Sequence, residues 1–305
     1  MIVETIALQT GLPKDYVELI ARTASHRYKT YQIPKKTGGM RTIHHPAREV
    51  KLFQRWLAQN VFERLPVHEA AFAYRKGTDV GRHASRHLSN NYVLKVDFID
   101  FFPSITGSDV IATLKRNSAL LPPFVSSPED FEVIRMLVTK DGHLTIGAPS
   151  SPILSNSVMF EFDEYWSVRC NENDIVYTRY SDDLYFSTNK ANVLKDTLRE
   201  LRRDLALRTS PKLHVNDKKT VFTSRKRMRL VTGLILTSDK RLSLGRKRKR
   251  WIKSLVFEYI NGRLAQEKLA YLQGIIAYAR SVEPRFVGSL SRKYGGEALK
   301  GLYVS

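Results

Sequence analysis

The sequence predicts an α+β fold, and three stretches carry that prediction. Residues 176–186 read Val176-Tyr177-Thr178-Arg179-Tyr180-Ser181-Asp182-Asp183-Leu184-Tyr185-Phe186. β-Branched and aromatic residues flank an acidic pair there, the pattern of a β-hairpin turning at Ser181-Asp182-Asp183. Residues 92–97 form an apolar strand that runs into Asp97, with Asp97 on the face opposite Leu94 and Val96. Residues 47–65 place Val50, Phe53, Leu57, Val61 and Leu65 on one stripe, widened by Leu52, Trp56 and Phe62, which predicts a long amphipathic helix. Hairpins and helices in a chain of 305 residues, 42% of them hydrophobic, are enough for one large domain or two to three subdomains.

Charge narrows the partners. Fifty Lys and Arg against 30 Asp and Glu give a net charge of +20, which points to a polyanion, either nucleic acid or an anionic membrane. No apolar run reaches the length of a membrane span, and the N-terminus lacks the pattern of a secretory signal. A cytoplasmic nucleic-acid-binding protein with no membrane partner is therefore expected. Cys170 is the lone cysteine, so an internal disulfide or a cysteine-rich zinc site is excluded.

In chain order, residues 1–25 predict one or two short helices, and Tyr28 to Ile33 with Met40 to His44 predict two extended runs. Between them lies the basic loop Lys35-Lys36-Thr37-Gly38-Gly39, whose glycines allow a close approach to phosphate. A plain exposed hairpin fits equally well. Residues 70–74 read as a strand ending at Arg75-Lys76-Gly77, with Arg75 and Lys76 able to meet a triphosphate. The following helix carries His83 and His87 at i, i+4, a spacing that suits a metal pair but has no third ligand nearby.

Phe102, before Pro103, is placed to act as an aromatic plate beside Asp97. Ile146-Gly147-Ala148-Pro149-Ser150-Ser151-Pro152 predicts a loop entering a helix, and Gly147 and Ala148 leave room for a sugar or base. Residues 193–207 predict a basic amphipathic helix, and residues 213–222 a strand region with Lys218 and Lys219. Residues 230–236 predict a strand with Gly233 at its centre. From Arg246-Lys247-Arg248-Lys249-Arg250 and Trp251 onward the chain predicts a helical subdomain that grips nucleic acid.

The acidic pair carries the sharpest chemistry. Two adjacent carboxylates repel, and a turn lets both reach one site, where a divalent cation would relieve the repulsion. An isolated Asp-Asp is more often a solvated surface turn. The rest of the chain shifts the balance.

Asp97 at a strand end, the Gly-Ala-Pro-Ser-Ser-Pro loop, Tyr180-Ser181-Asp182-Asp183, the lysines at 218 and 219 and Val231-Thr232-Gly233 follow one another in the order found in reverse transcriptases. Over most of its length the chain resembles the bacterial retron enzymes. His83-Ala84-Ser85-Arg86-His87 is similar to their Asn-Ala-x-x-His motif, departing at its first position. Ile146 departs from the Gln common in the family and is similar to the enzymes of diversity-generating elements.

The resemblance implies a right-hand polymerase: fingers over 1–92, a palm over 93–240 with a finger insertion at about 107–145, and a helical thumb over 241–305. It implies that Asp97, Asp182 and Asp183 hold two Mg²⁺ ions, and that Phe102 bars ribonucleotides. Lys35 and Arg75 would contact the dNTP triphosphate, and Lys218 or Lys219 would act on pyrophosphate. Its partners would be a structured non-coding RNA, serving as template and primer, the cDNA made from it as multicopy single-stranded DNA, and a separate effector protein in phage defence. The rivals are a group II intron-like or diversity-generating reverse transcriptase, and a non-catalytic RNA-binding protein that kept the fold. Only about fifty residues follow the basic run, which counts against an intron protein with further domains. Three intact carboxylates count against a retired site.

Overall fold

The computed structural model describes residues 1–35 and 38–303, so Lys36 and Thr37 of the basic loop lie outside the described residues. The chain opens with helices α1 (Ile2–Thr10) and α2 (Lys14–Thr23), the ribbon strands β1 (Tyr28–Pro34) and β2 (Met40–Pro46), and helix α3 (Arg48–Asn60). Next come α4 (Val80–Ser85), β3 (Tyr92–Asp97), α5 (Gly107–Arg116), α6 (Pro128–Val138), α7 (Ser151–Val158) and α8 (Phe160–Asn171). The acidic hairpin is β4 (Val176–Tyr180) and β5 (Asp183–Thr188), followed by α9 (Val193–Leu207) and β6 (Val221–Ser224). The chain continues through β7 (Arg229–Val231), β8 (Leu234–Leu236), β9 (Leu242–Ser243), α10 (Arg246–Ile260), α11 (Leu269–Val282) and α12 (Pro284–Tyr294). The fold is α+β, as the sequence predicts. Among the described residues no helix is long and apolar enough to cross a membrane.

Among the described residues three sheets form: the β1-β2 ribbon, a four-stranded sheet in the order β4-β5-β3-β6, and the small sheet β7-β8-β9. The four-stranded order sets β3 beside β5, so the end of one strand lies next to the start of the other: Phe98 N donates to the Asp182 carbonyl at 3.0 Å. Contacts divide the chain into two compact units. The first holds residues 1–77, 95–186 and 192–221; the second holds 78–94, 187–191 and 222–305.

In the first unit the core gathers Phe53, Leu57, Leu94-following residues Val96 and Phe98, Phe162, Trp166, Tyr185 and Phe186, all buried. The helices that frame it start where the sequence supplies caps. Thr106 and Asp109 form a capping box at α5, and Ser127 and Asp130 form another at α6. Asp130 is 2% exposed and accepts from the Met1 ammonium at 3.0 Å and the Ile2 N–H at 2.9 Å, which fastens α1 to α6.

Several expectations change. Residues 70–74 do not form a strand: Ala71 makes an isolated parallel bridge to Arg179, and Tyr74 turns the chain at φ +59°. Residues 230–236 are a hairpin, with φ +44° at Thr232 and +81° at Gly233. Positive φ at both turn residues matches the twist of a two-residue hairpin, which the isolated glycine concealed. The 213–222 region is mostly non-strand, with a one-turn 3₁₀ segment at Asp217–Lys219 before β6. Helix α11 starts at Leu269, and Met159 separates α7 from α8.

Candidate active site

The hairpin tip is held from below by an ion pair that is absent from the surface. Arg179 and Asp163 are both 0% exposed, with Arg179 Nη2 2.6 Å from Asp163 Oδ2. Arg179 Nη1 also donates to Asn156 Oδ1 at 3.1 Å and to the Ser181 carbonyl at 3.2 Å, and Tyr177 Oη donates to Asp163 at 2.7 Å. A buried charge is tolerated only when paired and fully hydrogen-bonded, so this cluster fixes the hairpin on α7 and α8. Its signal in the sequence is an arginine inside the otherwise apolar and hydroxylated strand Val-Tyr-Thr-Arg-Tyr.

Above the clamp the chain turns at Ser181, φ +60°, a conformation usually left to glycine. The Ser181 hydroxyl meets Tyr74 Oη at 3.1 Å. The turn proper is Ser181-Asp182; Asp183 is the first residue of β5 rather than a turn residue. The bend together with the β3-β5 pairing brings Asp97, Asp182 and Asp183 to one place.

Each carboxylate has a different setting. Asp97 is 4% exposed and accepts from Lys219 Nζ at 2.9 and 3.0 Å and from Asn216 Nδ2 at 3.1 Å. Asp183 Oδ2 lies 2.7 Å from Lys95 Nζ. Burial pushes the Asp183 carboxyl up to about 6, against the pull of Lys95, and the charges of Asp182 and Asp97 push the same way as burial. Burial also raises Asp182, with Asp97 adding repulsion. Three hard oxygen donors, two of them pushed toward protonation by burial and like charge, fit a hard divalent cation such as Mg²⁺. Among the described residues, however, no three such side chains are already set to hold a metal ion together. Asp97 and Asp183 are turned to lysines instead.

The other candidates divide. Lys219 reaches Asp97, whereas Lys218 is exposed and has no acidic partner among the described residues. Phe102 is half-buried, 5.4 Å from Phe101 and 6.4 Å from Tyr74 between ring centres, so it belongs to the aromatic group at the hairpin tip. Gly147 has φ +114°, and a Cβ there would stand 2.8 Å from the His44 carbonyl oxygen. Close packing on β2 therefore explains this glycine, and no open space for a sugar is needed. The adjacent Ile146 carbonyl accepts from His44 N at 2.9 Å, while Ala148 is 3% exposed and lines no open surface. Lys35 closes the ribbon loop, its N–H donating to Gly39 at 2.9 Å. Arg75 is exposed, with Nη1 donating to the Glu69 carbonyl at 3.1 Å.

In the second unit the two histidines are buried and engaged with hydroxyl groups. His83 and His87 are 0% exposed; His87 Nδ1 lies 2.7 Å from Ser187 Oγ, which also accepts from Asn90, and His83 Nδ1 lies 3.4 Å from Thr232 Oγ1. Burial holds His83 down at about 3 and His87 well below the usual histidine range. The same contacts join the His-Ala-x-x-His stretch to the Thr232-Gly233 turn. Of the basic run, Arg246, Lys247 and Arg250 have no carboxylate partner among the described residues. Lys249 is bound to Glu283 at 2.9 Å, and Arg248 lies over the Tyr278 ring at 5.9 Å. Trp251 and Tyr271 are 42% and 55% exposed and meet edge to face at 5.6 Å. Cys170 is buried, which pushes its thiol up to about 12.

Comparison with known proteins agrees with this geometry. The family described as "Reverse transcriptase (RNA-dependent DNA polymerase)" matches residues 33–272. Retron Ec83 reverse transcriptase of Escherichia coli is 38% identical over 98% of this chain and 97% of its own length. Retron Ec73 reverse transcriptase of the same species is 35% identical over 94% and 92%. Among solved structures, telomerase from Candida albicans in complex with a TWJ fragment of telomeric RNA aligns with a TM-score of 0.51, at 14% identity, over 90% of this chain and 56% of the telomerase chain. Apo telomerase from Candida tropicalis aligns at 0.50, also 14% identical, over 92% and 58%. This chain thus spans a little over half of either telomerase, and at that identity the likeness concerns the fold alone. The sequence relatives, the family match and the carboxylates at the strand ends agree: the chain belongs to the retron reverse transcriptases and is an RNA-directed DNA polymerase with the right-hand fold.

Proposed function

We propose that the enzyme copies part of a structured non-coding RNA into multicopy single-stranded DNA, using Asp97, Asp182 and Asp183 as its metal-holding carboxylates. The observation that carries this reading is the convergence of the three at the junction of β3 and β5, where burial and mutual repulsion favour a cation. Two Mg²⁺ ions held there would supply activation of the primer hydroxyl and charge neutralisation at the leaving pyrophosphate.

The chain's own residues do the rest. Arg179 and Asp163 keep the turn in place, and the Phe102 ring, backed by Phe101 and Tyr74, fills the space beside the sugar and excludes a 2′-hydroxyl. In this reading Lys219, rather than Lys218, gives a proton to pyrophosphate, a choice supported by its ammonium standing at Asp97. Lys35 and Arg75 are the triphosphate contacts of this reading. We assign the fingers to 1–92, the palm to 93–240 with a finger insertion at about 107–145, and the thumb to 241–305. The RNA is held by Arg246, Lys247 and Arg250 with Trp251, and a separate effector protein in phage defence completes the system.

The test is DNA synthesis by Asp182→Asn/Asp183→Asn. Synthesis should fall by at least about 10³-fold, the scale of losing electrostatic support at a reacting centre, while RNA binding stays near wild type. Undiminished synthesis would remove these residues from the active site.

A further inference from the structure

The two lysines at the carboxylates are not equivalent. Lys219 is 54% exposed and rises from a one-turn 3₁₀ segment, so its side chain can leave Asp97 by rotating into solvent. Lys95 is 31% exposed and rooted in β3 two residues before Asp97, so both side chains leave the same face of the sheet. Its ammonium is 2.7 Å from Asp183 Oδ2 and 5.8 Å from the centre of the Tyr185 ring. With its Cα fixed in the sheet, the Lys95 stem stays beside Asp183, and its ammonium must be displaced from the carboxylate by whatever cation enters. Together the lysines leave the three carboxylates with a single uncompensated negative charge.

We propose that Lys95 is a built-in counter-cation of Asp183, a positioning residue that holds the carboxylate near its working place and competes with divalent metal for it. The proposal rests on the reading of Asp183 as a metal-holding residue. Its consequence is a site that fills weakly with metal alone and fully only when nucleotide phosphates add their own negative charge. Nothing in the palm motifs marks this lysine; the signal is a cation on the inward face of the strand that delivers Asp97.

The experiment is Mn²⁺ titration of the full chain without nucleic acid, with free Mn²⁺ read by electron paramagnetic resonance. Lys95→Met, which keeps the stem and removes the charge, should bind Mn²⁺ about tenfold more tightly, the order expected when one unit charge a few ångströms away is deleted at a partly buried site. Lys95→Gln should do the same, and Lys95→Arg should stay within about twofold of wild type. Equal or weaker binding by Lys95→Met and Lys95→Gln overturns the proposal. Asp183→Asn separates the two ideas: if it leaves Mn²⁺ binding intact, the metal assignment of Asp183 fails first. If it lowers binding while the Lys95 variants match wild type, only the counter-cation role fails. A readout on the unaltered chain guards against misfolded variants: acylation of Lys95, followed by mass spectrometry, should increase when Mn²⁺ takes its carboxylate. Unchanged or decreased acylation contradicts the proposal.

Discussion

Asp97, Asp182 and Asp183 stand at buried or half-buried positions, and two of them are answered by a lysine of the same unit. Arg246, Lys247 and Arg250 on α10 stand in solvent and are answered by no carboxylate among the described residues. The contrast separates two uses of charge. Buried charge is costly, shifts proton affinities and suits chemistry at a fixed point. Exposed, unanswered charge costs little to hold and suits capture of a polyanion, which it binds by releasing counterions. Between these extremes lies the Arg179-Asp163 pair, which is buried and fully satisfied and serves to hold the hairpin.

The largest effect that would break the comparison concerns that pair. Arg179→Met leaves Asp163 buried without its partner, and stability should fall by about 3–5 kcal/mol in denaturant unfolding. A loss under about 1 kcal/mol would mean that Asp163 finds water and that the hairpin does not depend on the clamp.

Next is the exposed run. Arg246→Gln/Lys247→Gln/Arg250→Gln should weaken structured-RNA binding and reduce the slope of log K against log salt by about 2, at roughly 0.7 per phosphate contact. Lys249 is left out because its bond to Glu283, which also accepts from Ser243 and Leu244 N, is structural. An unchanged slope in filter binding would show that the run faces solvent and touches no phosphate.

The second unit also predicts an acid response. His83 and His87 are held below their ordinary proton affinity, so the unfolded chain takes up protons at these sites before the folded one does. Stability from each is therefore complete above about pH 6.5 and is lost as pH falls, by up to about 1.4 kcal/mol per pH unit for each histidine. For His83 the loss continues toward pH 3. Urea unfolding from pH 7 to pH 4 should show a shallower decline in His87→Asn; parallel declines would contradict the assignment.

The smallest effect is on sugar choice. Phe102→Ala should raise ribonucleotide incorporation about tenfold or more in primer extension, with folding little changed. Wild-type discrimination would leave Phe102 as packing for Tyr74 and Phe101.

Where local pattern and tertiary need coincide, the fold was readable from the chain. Most of the 47–65 stripe became α3, which stops at Asn60 before a 3₁₀ turn at Phe62–Arg64, and the apolar flanks of Asp182-Asp183 became β4 and β5, because a buried face imposes its own period on the sequence. Readings failed where backbone conformation departed from the local average. Thr232, a β-branched residue at positive φ, disguised a hairpin turn as a strand, and Tyr74 did the same for the expected strand at 70–74. Of the candidate site, the meeting of Asp97 with Asp182 and Asp183 was legible from a strand end and an acidic turn standing in the order found in reverse transcriptases. Lys95, Asn216 and Arg179 were not, because their partners lie 88, 119 and 16 residues away in the chain and no spacing signals them. The sequence suggests room for a sugar or base at Gly147, whereas the structure sets the His44 carbonyl oxygen 2.8 Å from where a Cβ would stand.

The central claim is that chemistry resides in the buried carboxylates and capture in the exposed basic helix. It is tested most directly by measuring RNA binding and saturating primer-template extension side by side on Asp182→Asn/Asp183→Asn and on Arg246→Gln/Lys247→Gln/Arg250→Gln. The predicted result is a crossed pattern: the first variant binds RNA normally and makes no DNA, and the second binds RNA weakly with a reduced salt slope and extends a saturating primer-template at the wild-type rate. Loss of both functions in both variants, each still folded, would contradict the separation.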